Sequence, residues 1–186
     1  MDLGSSYSHK MVTQVFFDMN IDDKPVGRIV FDLFSSKCPK TCENFRLLCT
    51  GEASRIPGIG KPLSLKGSSI FKIIPYFCMQ GGDITSTEGM EGSGGYSAID
   101  GRTFADESFD VAYDAPYTLG MSNCGKNTNG SQFFVTFDAC SWLQGKYVAF
   151  GIVHSGKDVL KQIEAVGRLS GKPRSKVVIA DCGELK

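Results

Sequence analysis

The residues best suited to chemistry in this chain lie in two segments rich in glycine and aromatic residues. In the first, residues 71–83, an apolar run carries a single cation, Lys72, and ends in a Gln-Gly-Gly-Asp turn that begins at Gln80. The second, residues 127–134, contains Gln132 among glycine, serine and phenylalanine residues, and Asn123 lies shortly before it. Side-chain amides supply both donors and acceptors, and in an apolar groove they are typical of a site that binds a peptide backbone.

Apolar side chains close to these polar residues could form the walls of such a groove. They are Phe77, Met79, Phe134, Trp142 and Leu143. Taken alone, Phe77 or Phe134 is better explained as an ordinary core residue, since alternate side chains of a strand face inward. The amides beside them are harder to explain as core, and they favour the interpretation as a ligand site.

Patterns for covalent or metal-dependent chemistry are not found. The two histidines, His9 and His154, stand apart, and no hydrolase motif accompanies them. The seven cysteines include no Cys-x-x-Cys, so a structural zinc site lacks its usual spacing. Residues 120–127 nearly spell a phosphate-binding loop, but Asn127 stands where that motif needs serine or threonine. We therefore expect no metal and no cofactor.

The charge balance and the N-terminal residues bear on partners and location. Lys plus Arg and Asp plus Glu both number 20, so no net field recruits nucleic acid or an anionic membrane. No apolar run approaches the roughly 20 residues of a membrane span, and residues 1–10 lack the apolar stretch of a secretory signal. We expect a cytoplasmic monomer with reduced cysteines, for which a nuclear location is also compatible. Residues 1–12 are interpreted as a flexible extension and 13–186 as one domain.

The elements that must position these residues are mainly strands. Residues 15–21 and 29–33 alternate apolar and polar side chains on either side of a turn at 22–25, which predicts a hairpin. Residues 39–49 and 157–166 change to helical periodicity. The remaining apolar runs are short: 70–74, 77–79, 132–137, 147–153 and 176–180. Because helices do not alternate with strands, the pattern favours a closed antiparallel β-barrel capped by two helices over a parallel α/β fold.

The two segments described first resemble the signature of the cyclophilins, the cyclosporin-binding peptidyl-prolyl cis-trans isomerases. The resemblance extends over about residues 15–185. Further matching segments are 38–45, 142–146, 148–151 and 179–183. It implies an eight-stranded antiparallel barrel closed by two helices, isomerase activity on X–Pro bonds, proline-containing peptides or proteins as partners, and cyclosporin binding.

The resemblance also implies roles for individual polar residues. Lys72 stands where the family normally has an arginine, which is its main catalytic group. Gln80 would hold and polarise the group at position 72, and the backbone of Asn123 would bind the substrate main chain. Gln132 would contact that main chain as well.

A pocket for the substrate proline ring follows from the same resemblance. Its lining would be Phe77, Cys78, Phe134 and Leu143, with Cys78 in place of a usual methionine. Trp142 matches the tryptophan that favours cyclosporin binding, and Tyr147 stands where many members have histidine. The neighbouring pocket, for the residue before proline, would be bordered by Ser122, Cys124, Thr128 and Ser131.

Two glycine-rich segments, 51–67 and 86–101, are predicted to be long loops. The first is similar to the loop of divergent-loop cyclophilins, some of which pair cysteines at the positions of Cys49 and Cys182. Tyr96 stands near the place of the glutamate that usually accompanies this loop, so the resemblance supports a redox pair only weakly.

The lysine at position 72 sets the expected activity. Lysine keeps the positive charge of arginine but lacks its planar, multidentate donor geometry, so we expect a working isomerase with weakened turnover. The alternative is a proline-peptide binding or scaffold module of the same fold.

Overall fold

The structure is a computed structural model that describes residues 12–58, 60–85 and 95–186. Most of the predicted N-terminal extension therefore lies outside the described residues. So does the larger part of the predicted loop 86–101.

The predicted hairpin is present and is longer than its alternating core. Strand β1 is Thr13–Ile21 and β2 is Lys24–Leu33, paired in antiparallel register. The two residues between them, Asp22 and Asp23, have φ values of 48° and 62°. Two consecutive left-handed residues match the twist of the flanking strands, so the turn is tighter than the predicted four-residue turn.

Six further strands complete the sheet. They are β3 (Ile70–Ile74), β4 (Cys78–Gly81), β5 (Thr118–Met121), β6 (Phe133–Thr136), β7 (Ala149–Ser155) and β8 (Val177–Leu185). Across the described ranges, the eight strands form one antiparallel sheet in the order β3-β4-β6-β5-β7-β2-β1-β8. An isolated bridge between Ser69 and Val178 brings its two ends together. The predicted mainly-β, eight-stranded barrel is confirmed, nearly closed.

Strand β5 is the element that the sequence pattern did not predict. It has only four residues, all buried, and its third residue is Gly120. It pairs with both β6 and β7, so the sheet is continuous only because of it. Gly120 and Met121, the first residues of the near-match to a phosphate-binding loop, therefore belong to a strand.

Two α-helices pack on the barrel as predicted. Helix α1, Pro39–Thr50, buries Cys42, Phe45, Leu48 and Cys49 and ends at Gly51, whose φ is 71°. Helix α2, Lys157–Ala165, buries Val159, Leu160 and Ile163. In the part of the chain that the structure describes, no helix is both long and apolar enough to cross a membrane.

A phenylalanine cluster fills the barrel beneath α1. The rings of Phe17, Phe31, Phe45, Phe133 and Phe150 are fully buried, with centroids of contacting pairs 5.0–6.4 Å apart. Edge-to-face pairs at such distances add to the stabilisation from burial. This core holds β4, β6 and β7, the strands that carry the candidate site on their other face.

Candidate functional site

A second, smaller apolar cluster lies apart from the barrel core, and we call it the pocket cluster. Its buried members are Cys78, Tyr113, Phe134, Cys140, Leu143 and Ala149, and Phe77, Val111 and Tyr147 pack against them partly buried. Three strands supply both clusters, because successive side chains of a strand point to opposite faces. On β6, for example, Phe133 belongs to the core and Phe134 to the pocket cluster.

Phe134 is the centre of the pocket cluster. Its ring stacks on Tyr113 at 5.8 Å and meets the edge of Tyr147 at 5.6 Å. A 3₁₀ helix, Ser141–Leu143, presents Leu143 to the cluster and Trp142 to solvent. Trp142 is 60% exposed and contacts Phe77 at a centroid distance of 5.9 Å. The cluster thus has a buried floor and an aromatic rim that is open to a ligand.

Lys72 and Gln80 are register partners on β3 and β4, next to this cluster. The Lys72 side chain is exposed. Its stem runs beside Gly171, where a Cβ would lie 3.2 Å from Lys72 Cγ. Within the described residues, no hydrogen bond or ion pair holds the ammonium group, so its position is set by the packing of its stem.

The electric field of Lys72 reaches the pocket cluster. Burial raises the pKa of the Cys78 thiol to about 12, and the positive charge of Lys72 opposes that rise. The charge of Lys72 therefore acts on the thiol at the pocket floor. Cys78 itself remains a neutral thiol near pH 7, where it acts as a small apolar side chain.

An amide and hydroxyl network borders the pocket cluster. The amide nitrogen of Gln80 donates to Ser122 Oγ at 2.9 Å and to Gln132 Oε1 at 3.1 Å. The three residues come from β4, the end of β5 and the start of β6, which pair side by side. No hydrogen bond joins Gln80 to Lys72 in the described part of the chain, and the predicted polarising role of Gln80 stays a prediction.

Asn123 uses its side chain to shape the loop after β5. Its amide nitrogen donates to the carbonyl oxygen of Lys146 at 2.9 Å, and its Oδ1 accepts from the N–H of Gly125 at 3.1 Å. Among the described residues, its own backbone N–H and C=O have no partner. An extended peptide binds through such backbone groups, and the substrate-binding role of Asn123 stays a prediction.

The border of the predicted neighbouring pocket is mixed. Cys124 is exposed, and its N–H donates to Thr128 Oγ1 at 2.9 Å. Ser131 is fully buried and donates to the carbonyl oxygen of Gly82 at 2.6 Å. Ser131 therefore braces the glycine turn after β4, and its side chain is not at the surface.

A polar groove of about 1110 Å³ adjoins the amide network. One wall carries Lys72, Gln80, Cys124 and Gln132. The other wall is formed by residues 170–177, which connect α2 to β8. The site thus has an apolar part and a polar part, and Lys72 stands between them.

The pocket cluster contains Phe77, Cys78, Phe134, Leu143 and Tyr147 of the predicted site, and the structure adds residues that the sequence did not indicate. Tyr113, Cys140, Val111 and Ala149 complete the pocket cluster. Tyr113 lies in the long connection between β4 and β5, where Phe109 and Tyr117 stand four residues to either side, so no local pattern singled it out. Its hydroxyl is buried and has no hydrogen-bond partner in the described part of the molecule.

Cys49 and Cys182, the two positions of the implied redox pair, are both free thiols. Burial raises the pKa of Cys182 to about 12 and that of Cys49 well above its ordinary value. A Coulombic effect of Cys182 adds to the rise of the Cys49 pKa, and the positive charge of Arg46 opposes it. Pairing of the two stays a prediction.

In residues 12–58, 60–85 and 95–186, no group of three or more His, Cys, Asp or Glu side chains could hold a metal ion. A family model described as cyclophilin type peptidyl-prolyl cis-trans isomerase/CLD matches residues 16–184. That match covers nearly the whole described chain, from β1 to β8.

Proposed function

This chain belongs to the cyclophilin-type peptidyl-prolyl isomerase family, and we propose that it isomerises X–Pro bonds in peptides and proteins with turnover weakened by Lys72. The observation that carries the proposal is one juxtaposition. An open apolar pocket centred on Phe134 lies beside the Gln80–Ser122–Gln132 network, with Lys72 as the cation at their border.

The chemistry that such a site must perform is rotation about an amide bond. The barrier is about 18–20 kcal/mol, because rotation breaks amide resonance. For X–Pro bonds the two planar isomers differ by only about 0.5–1 kcal/mol, so the problem is kinetic. No covalent step is needed if the site binds the twisted amide more tightly than either planar form.

The pocket cluster supplies the anchor for this rotation. A proline ring seated against Phe134 and Leu143 is held by apolar contact, while the preceding carbonyl swings past the polar border. The backbone of Asn123 and the side chain of Gln132 would bind the peptide main chain. Fixing the chain on both sides of one bond confines the motion to that bond.

Lys72 is proposed as the group that stabilises the twisted state. When the amide twists, its nitrogen becomes pyramidal and gains a lone pair, so a donor aimed at it acts only in the transition state. An ammonium group is compact and strongly hydrated and presents no planar fork. The lack of any hydrogen-bond partner for Lys72 among the described residues supports a less preorganised donor.

The first test is isomerisation of an X–Pro peptide measured without a coupling protease, for example by NMR exchange. Lys72→Arg is expected to raise kcat/KM by on the order of 10²-fold, the usual effect of one preorganised donor. Lys72→Met should lower it, and Lys37→Arg, an exposed lysine outside the site, should leave it unchanged. Equal kcat/KM for wild type and Lys72→Arg would refute the weakening by Lys72.

The second candidate function is a proline-peptide binding module with little turnover. The observation that favours it is the same unpartnered ammonium beside an intact apolar pocket. Trp142 is the only tryptophan of the chain and lies on the rim, so its fluorescence reports ligand binding directly. Saturable binding of a proline peptide, with exchange no faster than in buffer, would select the module over the enzyme.

We also propose that the pocket binds cyclosporin, that the protein is monomeric, and that it acts in the cytoplasm or the nucleus. The exposed Trp142 beside Phe77 supports the first, and seven free thiols accord with a reducing compartment. Calorimetric titration of cyclosporin into wild type and Trp142→Ala tests the first, since the substitution should weaken binding. Light scattering and cell fractionation test the other two.

A further inference from the structure

The connection between α2 and β8 is a strongly basic loop. Residues 167–176 contain four cations, Arg168, Lys172, Arg174 and Lys176, and no acidic residue. All four side chains are exposed. None forms a salt bridge with any described residue. A neutral protein thus concentrates unpaired positive charge in ten consecutive positions.

This basic loop is fixed to the strand that carries Lys72. The N–H of Ile73 donates to the carbonyl oxygen of Gly171 at 2.8 Å, and the N–H of Arg168 donates to that of Ile73 at 3.1 Å. At its other end, Asp22 and Lys176 exchange hydrogen bonds at 2.8 and 2.9 Å. The cations are therefore presented by a braced backbone, which lowers the entropy lost when a ligand binds.

The basic loop forms one wall of the groove of about 1110 Å³, and the isomerase residues form the other. Four cations line it: Lys72, Lys172, Arg174 and Lys176. Among the described residues that line the groove, the acidic one is Asp83, whose carboxylate accepts hydrogen bonds from the backbone and hydroxyl of Thr85. The groove thus carries excess positive charge and is continuous with the place where the peptide would lie.

We propose that this groove binds anionic side chains, carboxylate or phosphoryl, that flank the proline of the substrate, so that the protein selects acidic proline-containing segments. The inference rests on the proposed function, because it places the peptide by the pocket cluster. The groove lies on one side of Lys72, so one flank of the proline is expected to carry the preference. Charge complementarity of this kind acts on specificity and on the association rate.

The test uses a neutral X–Pro core extended by Asp-Asp, Ser-Ser or Lys-Lys, placed before the proline in one series and after it in another. We expect kcat/KM about threefold to tenfold higher for the aspartate peptide than for the lysine peptide in one series, the size expected for a few exposed ion pairs. The preference should shrink in 0.5 M salt. A phosphoserine pair tells whether the groove prefers a phosphoryl group to a carboxylate.

Charge-reversal variants locate the effect. Lys172→Glu with Lys176→Glu should abolish or invert the preference in kcat/KM for the aspartate peptide over the lysine peptide. Lys37→Glu with Lys186→Glu makes the same charge change at exposed positions outside the groove and should keep the preference. Thermal melts check that all variants are folded.

The outcomes separate this inference from the isomerase proposal. Equal turnover of all peptides by wild type, or an unchanged preference after charge reversal, overturns the acidic preference and leaves the isomerase intact. If no peptide is turned over, Trp142 fluorescence gives dissociation constants. Tighter binding of the aspartate peptide would then support the acidic preference of the groove, although the isomerase proposal is refuted. Equal or absent binding of the peptides would overturn the acidic preference. A single-stranded oligonucleotide that binds more tightly than the aspartate peptide would assign the groove to nucleic acid instead.

Discussion

Both faces of β4, β6 and β7 carry apolar side chains, but only one of the two faces is sealed from solvent. On one face Met79, Phe133 and Phe150 are fully buried in the barrel core. On the other face their sequence neighbours, Cys78, Phe134 and Ala149, belong to the smaller pocket cluster, which has an open rim. The same alternation therefore produces a sealed apolar core on one face and, one residue away, an apolar cluster that is partly open to solvent on the other.

The open apolar face is the source of binding free energy in this protein. Apolar surface that the chain cannot cover by itself is surface that a ligand can cover. A proline ring adds apolar area without a backbone N–H that would need a partner, so it suits this gap. Substitutions on the core face should therefore act on stability, and those on the pocket face on binding.

The largest expected contrast is between neighbouring phenylalanines of β6. Phe133→Ala leaves a cavity in a sealed core and should lower the free energy of unfolding by about 3–5 kcal/mol. Phe134→Ala should cost less, about 1–3 kcal/mol, because the pocket side is already partly open. Chemical denaturation measures both.

Peptide binding should show the reverse order. Titrations followed by Trp142 fluorescence should find binding lost in Phe134→Ala and retained within about threefold in Phe133→Ala at a temperature where that variant is folded. The leucine variants at both positions provide a milder pair should Phe133→Ala not fold. Equal losses of binding would contradict the division between the faces.

Gly120 on β5 provides a second test of the contrast between the core face and the pocket face. A Cβ there would lie 2.2 Å from Tyr113 Oη and 2.6 Å from Phe134 Cζ, both in the pocket cluster. Gly120→Ala should cost about 1–3 kcal/mol through overpacking and should also weaken peptide binding. Adding Tyr113→Phe removes the closest clash and should recover part of both losses.

Gly151 on β7 provides the matched control. A Cβ there would meet the carbonyl oxygen of Asp32 at 2.8 Å, on the neighbouring strand of the barrel. Gly151→Ala should therefore lower stability without a comparable change in peptide affinity. Unchanged peptide affinity in Gly120→Ala would show that the side chains of Tyr113 and Phe134 move aside without cost.

Alkaline pH compares a core thiol with a pocket thiol. Burial raises the pKa of Cys42 and of Cys78, each to about 12. In the unfolded chain a thiol loses its proton near pH ~8.5, so the unfolded state binds fewer protons between that value and 12. Stability is then fully present below about pH 8.5 and falls as the pH rises toward 12.

Alanine substitution of one thiol should reduce this pH dependence. Each removed thiol should lower the slope of the free energy of unfolding by up to about 1.4 kcal/mol per pH unit above pH 9. Cys42→Ala should also lose stability at pH 7 through its cavity, and Cys78→Ala less so. Urea denaturation at pH 7, 9 and 10 measures both effects, and identical slopes for wild type and variants would refute the linkage.

The smallest expected effect is that of Tyr113→Phe alone. The hydroxyl is buried without a partner among the described residues, so its removal should leave stability unchanged or raise it by about 1 kcal/mol. Peptide binding should stay within about twofold, because the ring that stacks on Phe134 is kept. A loss of more than 1 kcal/mol in the free energy of unfolding would show that the hydroxyl has a hydrogen-bond partner. In that case Tyr113→Phe would also fail to recover the stability lost in Gly120→Ala.

Part of this architecture was predictable from local patterns. The hairpin of β1 and β2 followed from alternation over residues 15–21 and 29–33, and both helices followed from helical periodicity over 39–49 and 157–166. Strand β5 did not, because four residues with a glycine among them show no usable alternation. The sequence resemblance, however, specified the number of strands, and the family match over residues 16–184 agrees with it.

The site divides in the same way. Phe77, Phe134, Gln80 and Gln132 were recognisable from their motifs, since those motifs are contiguous in sequence. Tyr113 and the basic loop 167–176 were not, because their relevance depends on contacts across the barrel with Phe134 and Lys72. Proximity between distant segments is not encoded in any local pattern.

The order of residues along each strand specifies which side chains share a face, and it identifies the unusual cation. Alternation separates Phe133 from Phe134, and lysine chemistry follows from the residue type at position 72. Which face became the sealed core depends on how the barrel closes and where α1 packs, and neither follows from a local pattern. The tertiary structure also places Lys72 between an apolar pocket and a basic groove, since β3 and the loop before β8 meet only in the folded chain.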